Sequence, residues 1–307
     1  MTINENKLKD FVSKWLDGIS YELNYWDSVI SDDESWNSYI DDKLIQDEID
    51  HDEKVKKILD AGSGPVTVLS PNKYNYIFSC DPLAEYYKLM LNNYNRKPIV
   101  NTEFCFSERL YEKYEANFFD EVHMQNALDH SFFPMNSIYS FLYVLKIGCK
   151  VILKHYRNEA ETEFYNGFHQ FNIDVENDKA LLWNKREKII LNDVLKDLAE
   201  VNCYITKINN RTWRGEEDFV IIEITKKNHF NILDYVSNNY YLDKYLFLSI
   251  SFLSSLDISI KNHDFVSSTR LNKIRDKLKA NNSLIRKTAW WIPIKKYRDK
   301  FRNDNIV

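Results

Sequence analysis

Two of the chain's six glycines fall in one short stretch, KILDAGSGP, from Lys57 to Pro65. A short apolar strand there runs into Asp60 and then Gly62-Ser63-Gly64, and glycine lets a ligand approach the backbone where any Cβ would collide. Seventeen residues past Gly64, the segment YIFSCD ends in Asp81. A carboxylate at the end of a second strand accepts two hydroxyl hydrogen bonds and fits a ribose diol. The competing reading is helix capping, because Asp81-Pro82 precedes a helix predicted to begin near Leu83. Capping explains an aspartate but not its register with the glycine turn. A dinucleotide fingerprint asks for a third glycine at position 67. Thr67 stands there, with Pro65 in between, so a pyrophosphate cradle is disfavoured.

These residues need a scaffold that presents strand ends side by side. Strand-length apolar runs occur at Lys57–Leu59, Tyr76–Ser79, Glu121–Met124, Val151–Lys154, Cys203–Ile208 and Phe219–Thr225. Most of the intervening segments are long enough for helices, such as Glu85–Tyr94 and Asn136–Leu145. Such alternation predicts a largely parallel α/β sheet covered on both faces. The last two runs are only about ten residues apart, around Arg214-Gly215, which predicts an antiparallel hairpin at the sheet edge. The expected organisation is a helical cap over residues 1–50, a core over 51–227 and a helical extension with a basic tail over 228–307.

Composition bounds the rest. The 307 residues are 44% hydrophobic and 15% aromatic, enough for a sizeable core. The four cysteines are far apart, with no zinc-like grouping, and read as reduced thiols. The N-terminal MTINENKLKDF lacks a signal peptide's apolar stretch, and no apolar run is long enough to span a bilayer. A cytoplasmic location is expected. From Arg270 onward there are 12 Lys and Arg against 3 Asp and Glu, so the rest of the chain is strongly acidic. That argues against a nucleic-acid-coating surface.

Asp60-x-Gly62-x-Gly64 with Asp81 downstream resembles the S-adenosylmethionine (SAM) site of class I methyltransferases. FFDEVHMQNALDH, from Phe118 to His130, is similar to their fourth-strand motif, and VLKIGCKVILKH, from Val144 to His155, to their L-K-P-G-G turn and fifth strand. Ile147 and Cys149 depart from the proline and second glycine of that turn, and Val66 replaces the usual third glycine of the first motif. The set LDAGSGP, CDPLAEYY, NALDH and FYNGFHQFN resembles bacterial methyltransferases of capsule and surface-polysaccharide loci, over roughly residues 20–227. The resemblance implies a Rossmann-like, seven-stranded, mostly parallel sheet with an antiparallel edge hairpin and helical appendages at both ends. It implies SAM as cofactor and S-adenosylhomocysteine (SAH) as product. The backbone around Gly62 and Gly64, with Asp60, would hold the methionine half. Asp81 would bind the ribose, Leu83 pack on the adenine, and Glu108 contact its amino group. Gln125 and Asn126 would open the turn facing the sulfonium.

Methyl transfer from a sulfonium is an in-line displacement, and a sugar hydroxyl needs its proton removed by a base or a divalent metal. Three histidines lie at strand ends or in the loops beyond. His169, in the polar-aromatic loop Asn166–Gln170, is the first candidate base, followed by His130 and His155. A divalent site from Asp129, His130 and His155 with Glu159 or Glu161 is the alternative; no spacing compels it, and no metal ligand is assigned. The expected function is O-methylation of a sugar hydroxyl, on a nucleotide-activated sugar or glycan bound for a surface polysaccharide. N-methylation of an amino sugar or other small molecule stays open, as does a non-catalytic SAM-fold module. The tail RKTAWWIPIKKYRDKFR, Arg286–Arg302, leaves open a weak membrane-surface contact, help in binding a nucleotide-sugar diphosphate, or plain docking. A homodimer stays open too.

Overall fold

A computed structural model describes residues 5–209 and 216–236. Two compact units divide the chain, one of Tyr25–Asn238 and one of Met1–Asn24 with Asn239–Val307. The basic tail and nearly all of the expected 228–307 extension lie outside the described residues.

The N-terminal stretch is helical, with α1 at Glu5–Ser31 and α2 at Asp33–Ile40. Asp32 caps α2 by accepting from the Ser35 N–H at 2.8 Å. Ten strands follow: β1 Lys56–Ala61, β2 Asn75–Asp81, β3 Thr102–Phe104, β4 Phe119–Gln125, β5 Leu145–Tyr156, β6 Asn172–Glu176, β7 Lys179–Trp183, β8 Lys188–Ile190, β9 Ala199–Asn209 and β10 Glu216–Lys226. Between them lie α3 Ala84–Asn93, α4 Leu110–Lys113, α5 Pro134–Val144, α6 Glu159–Thr162 and α7 Leu191–Val194.

Seven strands form one sheet in the order β3-β2-β1-β4-β5-β10-β9, parallel except for β10, which runs antiparallel to both neighbours. This is the Rossmann-like architecture expected from the sequence, edge hairpin included. The chain steps outward from β1 through β2 and α3 in one direction, and from β4 through α5 to β5 in the other. Right-handed crossovers then set α3 and α5 on opposite faces. The point where the order reverses, between β1 and β4, is where such sheets bind ligands outside their carboxyl ends.

The central strands read as apolar because both faces are covered. Leu59, Val122, Val151, Leu153, Val220 and Ile222 are completely buried. Pro134 opens α5, as suits a residue without an N–H. At the other end of α5 the buried Lys226 ammonium donates to the carbonyls of Tyr143 and Leu145 and to Asn117 Oδ1, a cation placed where helix carbonyls lack partners.

Two features were not expected from the sequence. No helix joins β1 to β2; residues 62–74 form a loop instead. Pro65, the β-branched run Val66-Thr67-Val68, and Pro71 all disfavour a helix there. The second feature is an antiparallel sheet of β6, β7 and β8, inserted between β5 and β9. Its first turn is Asn177-Asp178, both left-handed at φ 50° and 59°, the pairing a two-residue hairpin favours.

Candidate active site

The glycine turn leaves β1 at the switch point. Gly62 and Gly64 adopt φ +68° and +62°, a region costly for any residue with a Cβ. On the Cβ side of both glycines the space is filled with protein. A Cβ on Gly62 would lie 2.5 Å from Cβ of Ala127 in the turn after β4, and one on Gly64 would lie 3.0 Å from the Trp26 ring. The glycines therefore let β1's turn, β4's turn and α1 come together. Gly62→Ala is expected to lose about 1–2 kcal/mol from the left-handed backbone and a further ~1–3 kcal/mol from overpacking against Ala127. Urea unfolding checks this, and a loss below about 1 kcal/mol would show that the turn relaxes freely.

Asp60 is buried, and both its oxygens are engaged. Oδ2 accepts from Thr67 Oγ1 at 2.5 Å, and Oδ1 meets Nδ1 of the buried His123 at 3.0 Å. Asp60 thus braces the helix-less loop against β4, and Thr67, where a dinucleotide fold would carry glycine, is its partner. Neither Thr67 nor His123 stood out in the sequence, because the contacts span seven and 63 residues.

Asp81, at the carboxyl end of β2, binds two backbone N–H groups, and the N-cap of α3 is Leu83, with no side-chain cap bond. Its Oδ1 accepts from the Leu83 N–H at 2.8 Å at the entry to α3, and its Oδ2 accepts from the Gly64 N–H at 3.2 Å. The register with the glycine turn is therefore a hydrogen bond. Leu83 is buried as the residue preceding α3.

Glu108 is buried with its oxygens turned onto the protein. Oε1 accepts from the N–H groups of Phe132 and Phe133 at 2.8 and 3.4 Å, and Oε2 accepts from Ser107 Oγ at 3.2 Å. Burial raises its pKa above the usual carboxylate value, and these donors offset only part of the shift. A group whose folded pKa is raised contributes stability at low pH and loses it as pH climbs through that pKa. Glu108→Gln keeps an oxygen for the two N–H groups and gives Ser107 a donor. Its stability relative to wild type is expected to improve as pH rises from about 4 toward 7, measured by denaturant midpoints. A difference independent of pH would contradict the assignment.

Beyond β4 the chain supplies Gln125, half-buried, and Asn126, left-handed at φ 50°. Asn126 ties the ends of β4 and β5 together: its N–H donates to the Lys154 carbonyl and its Oδ1 accepts from the Tyr156 N–H.

Three residues past Asn126 lies a cluster of ionisable side chains. Asp129 is buried, and its Oδ2 receives Nδ1 of His169 at 2.7 Å and faces Nε2 of His130 at 3.6 Å. The His130 and His169 rings meet edge to face at 4.8 Å between centroids. His155, near the end of β5, is buried close enough for its charge to act on Asp129 and His130. Sequence reasoning ranked His169, His130 and His155 as separate candidates; the structure gathers them around one carboxylate that it left off the catalytic set. Asp129 and His169 are 40 residues apart, so no local pattern could have paired them.

Burial would raise the pKa of Asp129, but the surrounding imidazoles and the His169 hydrogen bond hold it well below the usual range. Burial depresses His130 and His155 to about 4 against the pull of Asp129, leaving both neutral. Burial also works against protonated His169, yet the Asp129 hydrogen bond and charge, with Glu159 and Glu163, raise its pKa. Four residues of the carrying segment are left-handed (Asn158, Phe164, Tyr165 and Gly167), so the loop from 158 to His169 is tightly folded. Beside it opens a polar cleft of about 360 Å³, lined by Tyr156, Arg157, Asn158, Glu159, Thr162, Lys207, Glu217 and Asp218. Arg157 there is paired with Asp174 and Asp218, and Lys207 with Asp218.

No helix among the described residues is long and apolar enough to cross a membrane. No protein-family model matches the chain, and no curated protein matches it. Solved structures do. A chain of the complex between the Haloferax volcanii Trm112 methyltransferase activator and its methyltransferase is 12% identical, matched over 67% of this chain and 98% of its own, at TM-score 0.43. The N-methyltransferase NodS from Bradyrhizobium japonicum, solved with SAH, is 11% identical over 68% and 99% at TM-score 0.39. A SAM-dependent methyltransferase from Methanosarcina mazei is 15% identical over 58% and 96% at TM-score 0.37. The strand order and the residues at its switch point, rather than these distant likenesses, carry the reading of the site.

Proposed function

We propose that the chain is a SAM-dependent methyltransferase acting on a sugar hydroxyl, on a nucleotide-activated sugar or glycan. The observation that carries the reading is the continuity of the switch point. Asp81 is bonded to the Gly62–Gly64 turn, that turn abuts Ala127, and two residues later stands Asp129 with its histidines. A nucleoside-binding carboxylate and a proton-accepting cluster are what methyl transfer from SAM to a hydroxyl requires. SAM supplies the electrophilic methyl group. Asp60, Gly62 and Gly64 form the turn for its methionine half, Asp81 accepts its ribose hydroxyls, Leu83 and Glu108 flank the adenine, and Gln125 and Asn126 edge the sulfonium. His169, hydrogen-bonded to Asp129 at 2.7 Å and partly exposed, takes the hydroxyl proton; Asp129 orients it. His130 and His155, neutral beside it, position the acceptor.

One observation favours a second reading. The cleft lining has three carboxylates against two cations, and both cations are already paired. An amino sugar, N-methylated, suits that balance better than a diphosphate. Incubation with SAM and separate panels of nucleotide-sugars and amino sugars tests both. The expected result is a mass gain of one methylene, with magnetic resonance placing the methyl on oxygen. A methyl on nitrogen would select the second reading, and turnover of neither panel by protein that binds SAM would remove sugars as the acceptor class.

A further inference from the structure

A proton acceptor needs one imidazole and one orienting carboxylate, and this cluster holds more. One ligand atom from each of Asp129, His130 and His169 lies within 4.8 Å of the others. Nε2 of His130 is buried without a hydrogen-bond partner among the described residues, and so are both ring nitrogens of His155. A buried polar atom left unpaired costs roughly 1–3 kcal/mol, so these orphans ask for a missing partner. The aspartate is fixed by burial, whereas His130 and His169 keep about a quarter of their side chains exposed, at 23% and 28%. Ligands about 2.1 Å from a tetrahedral ion lie ~3.4 Å apart, so a ring swing of about an ångström closes the set.

We propose that Asp129, His130 and His169 bind one divalent transition-metal ion. Two imidazoles and one carboxylate suit zinc, cobalt or manganese, whereas magnesium and calcium prefer all-oxygen shells. Three protein ligands leave a coordination position open, as catalytic sites of this kind do. The same lone pairs hold either a proton or a metal, so the ion-bound form is a second way for the cluster to activate a hydroxyl. Its role rests on the methyl-transfer reading; its existence does not. In that role the ion would polarise the acceptor hydroxyl, whose proton would leave to water. An oxygen lone pair forms the new C–O bond, and the broken C–S pair stays on sulfur as SAH. His169 is then a ligand, and it is the proton acceptor only in ion-free protein.

The test uses the full chain stripped with chelator, titrated with cobalt followed by visible absorption and with zinc followed by calorimetry. The expected result is one saturable equivalent per chain. His169→Gln and Asp129→Asn, each checked for native circular dichroism, should weaken it by at least the roughly 10–100-fold that losing a supporting hydrogen-bond partner costs a metal site. His169 is partly exposed, so its glutamine variant is the safer fold. No saturable binding, or equal affinity in His169→Gln, overturns the proposal. SAH titrated into the same stripped protein separates the two readings. SAH binding without metal binding overturns the ion alone and returns the proton to His169, whereas metal binding without SAH binding supports the site and overturns methyl transfer.

Discussion

Asp81→Ala is expected to weaken SAM and SAH binding by at least ~100-fold. A hydrogen bond to a charged acceptor is worth about 1.5–3 kcal/mol, and a ribose offers two, so the loss is roughly 3–6 kcal/mol at about 1.4 kcal/mol per tenfold. Asp81 also accepts from the Leu83 and Gly64 N–H groups, so alanine removes a turn constraint as well. Asp81→Asn separates the two effects, because its remaining oxygen still serves Leu83. It should hold the wild-type melting temperature closely and lose about tenfold in affinity, half the alanine effect in free energy. Calorimetric titration reads both variants. Affinity unchanged in folded Asp81→Ala would reduce this aspartate to a helix-entry residue.

His169→Ala and Asp129→Asn should each lower kcat by ~10²–10⁴-fold, the range a positioned proton acceptor or its orienting partner commands. SAM affinity should stay within about threefold, because the proposed role places the cluster at the acceptor and not at the nucleoside. The two substitutions should also be far from additive, since His169 and Asp129 act through one 2.7 Å hydrogen bond. Steady-state rates with SAM saturating check this. If kcat is retained in His169→Ala, alignment alone suffices and the acceptor needs no base.

Much of the scaffold was legible because its strands are buried on both faces and read as short apolar runs. The link between the glycine turn and β2 was legible too: Gly64 and Asp81 are 17 residues apart, and that spacing proved to be a hydrogen bond. What escaped was contact at long range. The His169–Asp129 pair joins the loop before β6 to the turn after β4, and nothing local to either residue announces the other. The glycines were recognised, but not their packing role, because a sequence cannot show that Ala127 and Trp26 lie against them. The β6–β8 sheet escaped for another reason: its strands are only three to five residues long. Its Asn177-Asp178 turn was nevertheless readable as a hairpin. The missing helix after β1 was also readable, in Pro65, Pro71 and the β-branched residues between them.

Whether this switch point binds the cofactor is read by calorimetric titration of SAM and SAH into the wild-type chain. The account predicts one site per chain with a dissociation constant of ~1–100 μM, about −8 to −5 kcal/mol. Folded protein that binds neither ligand would contradict it, leaving the strand order, the glycine turn and the Asp129 cluster without the chemistry assigned to them.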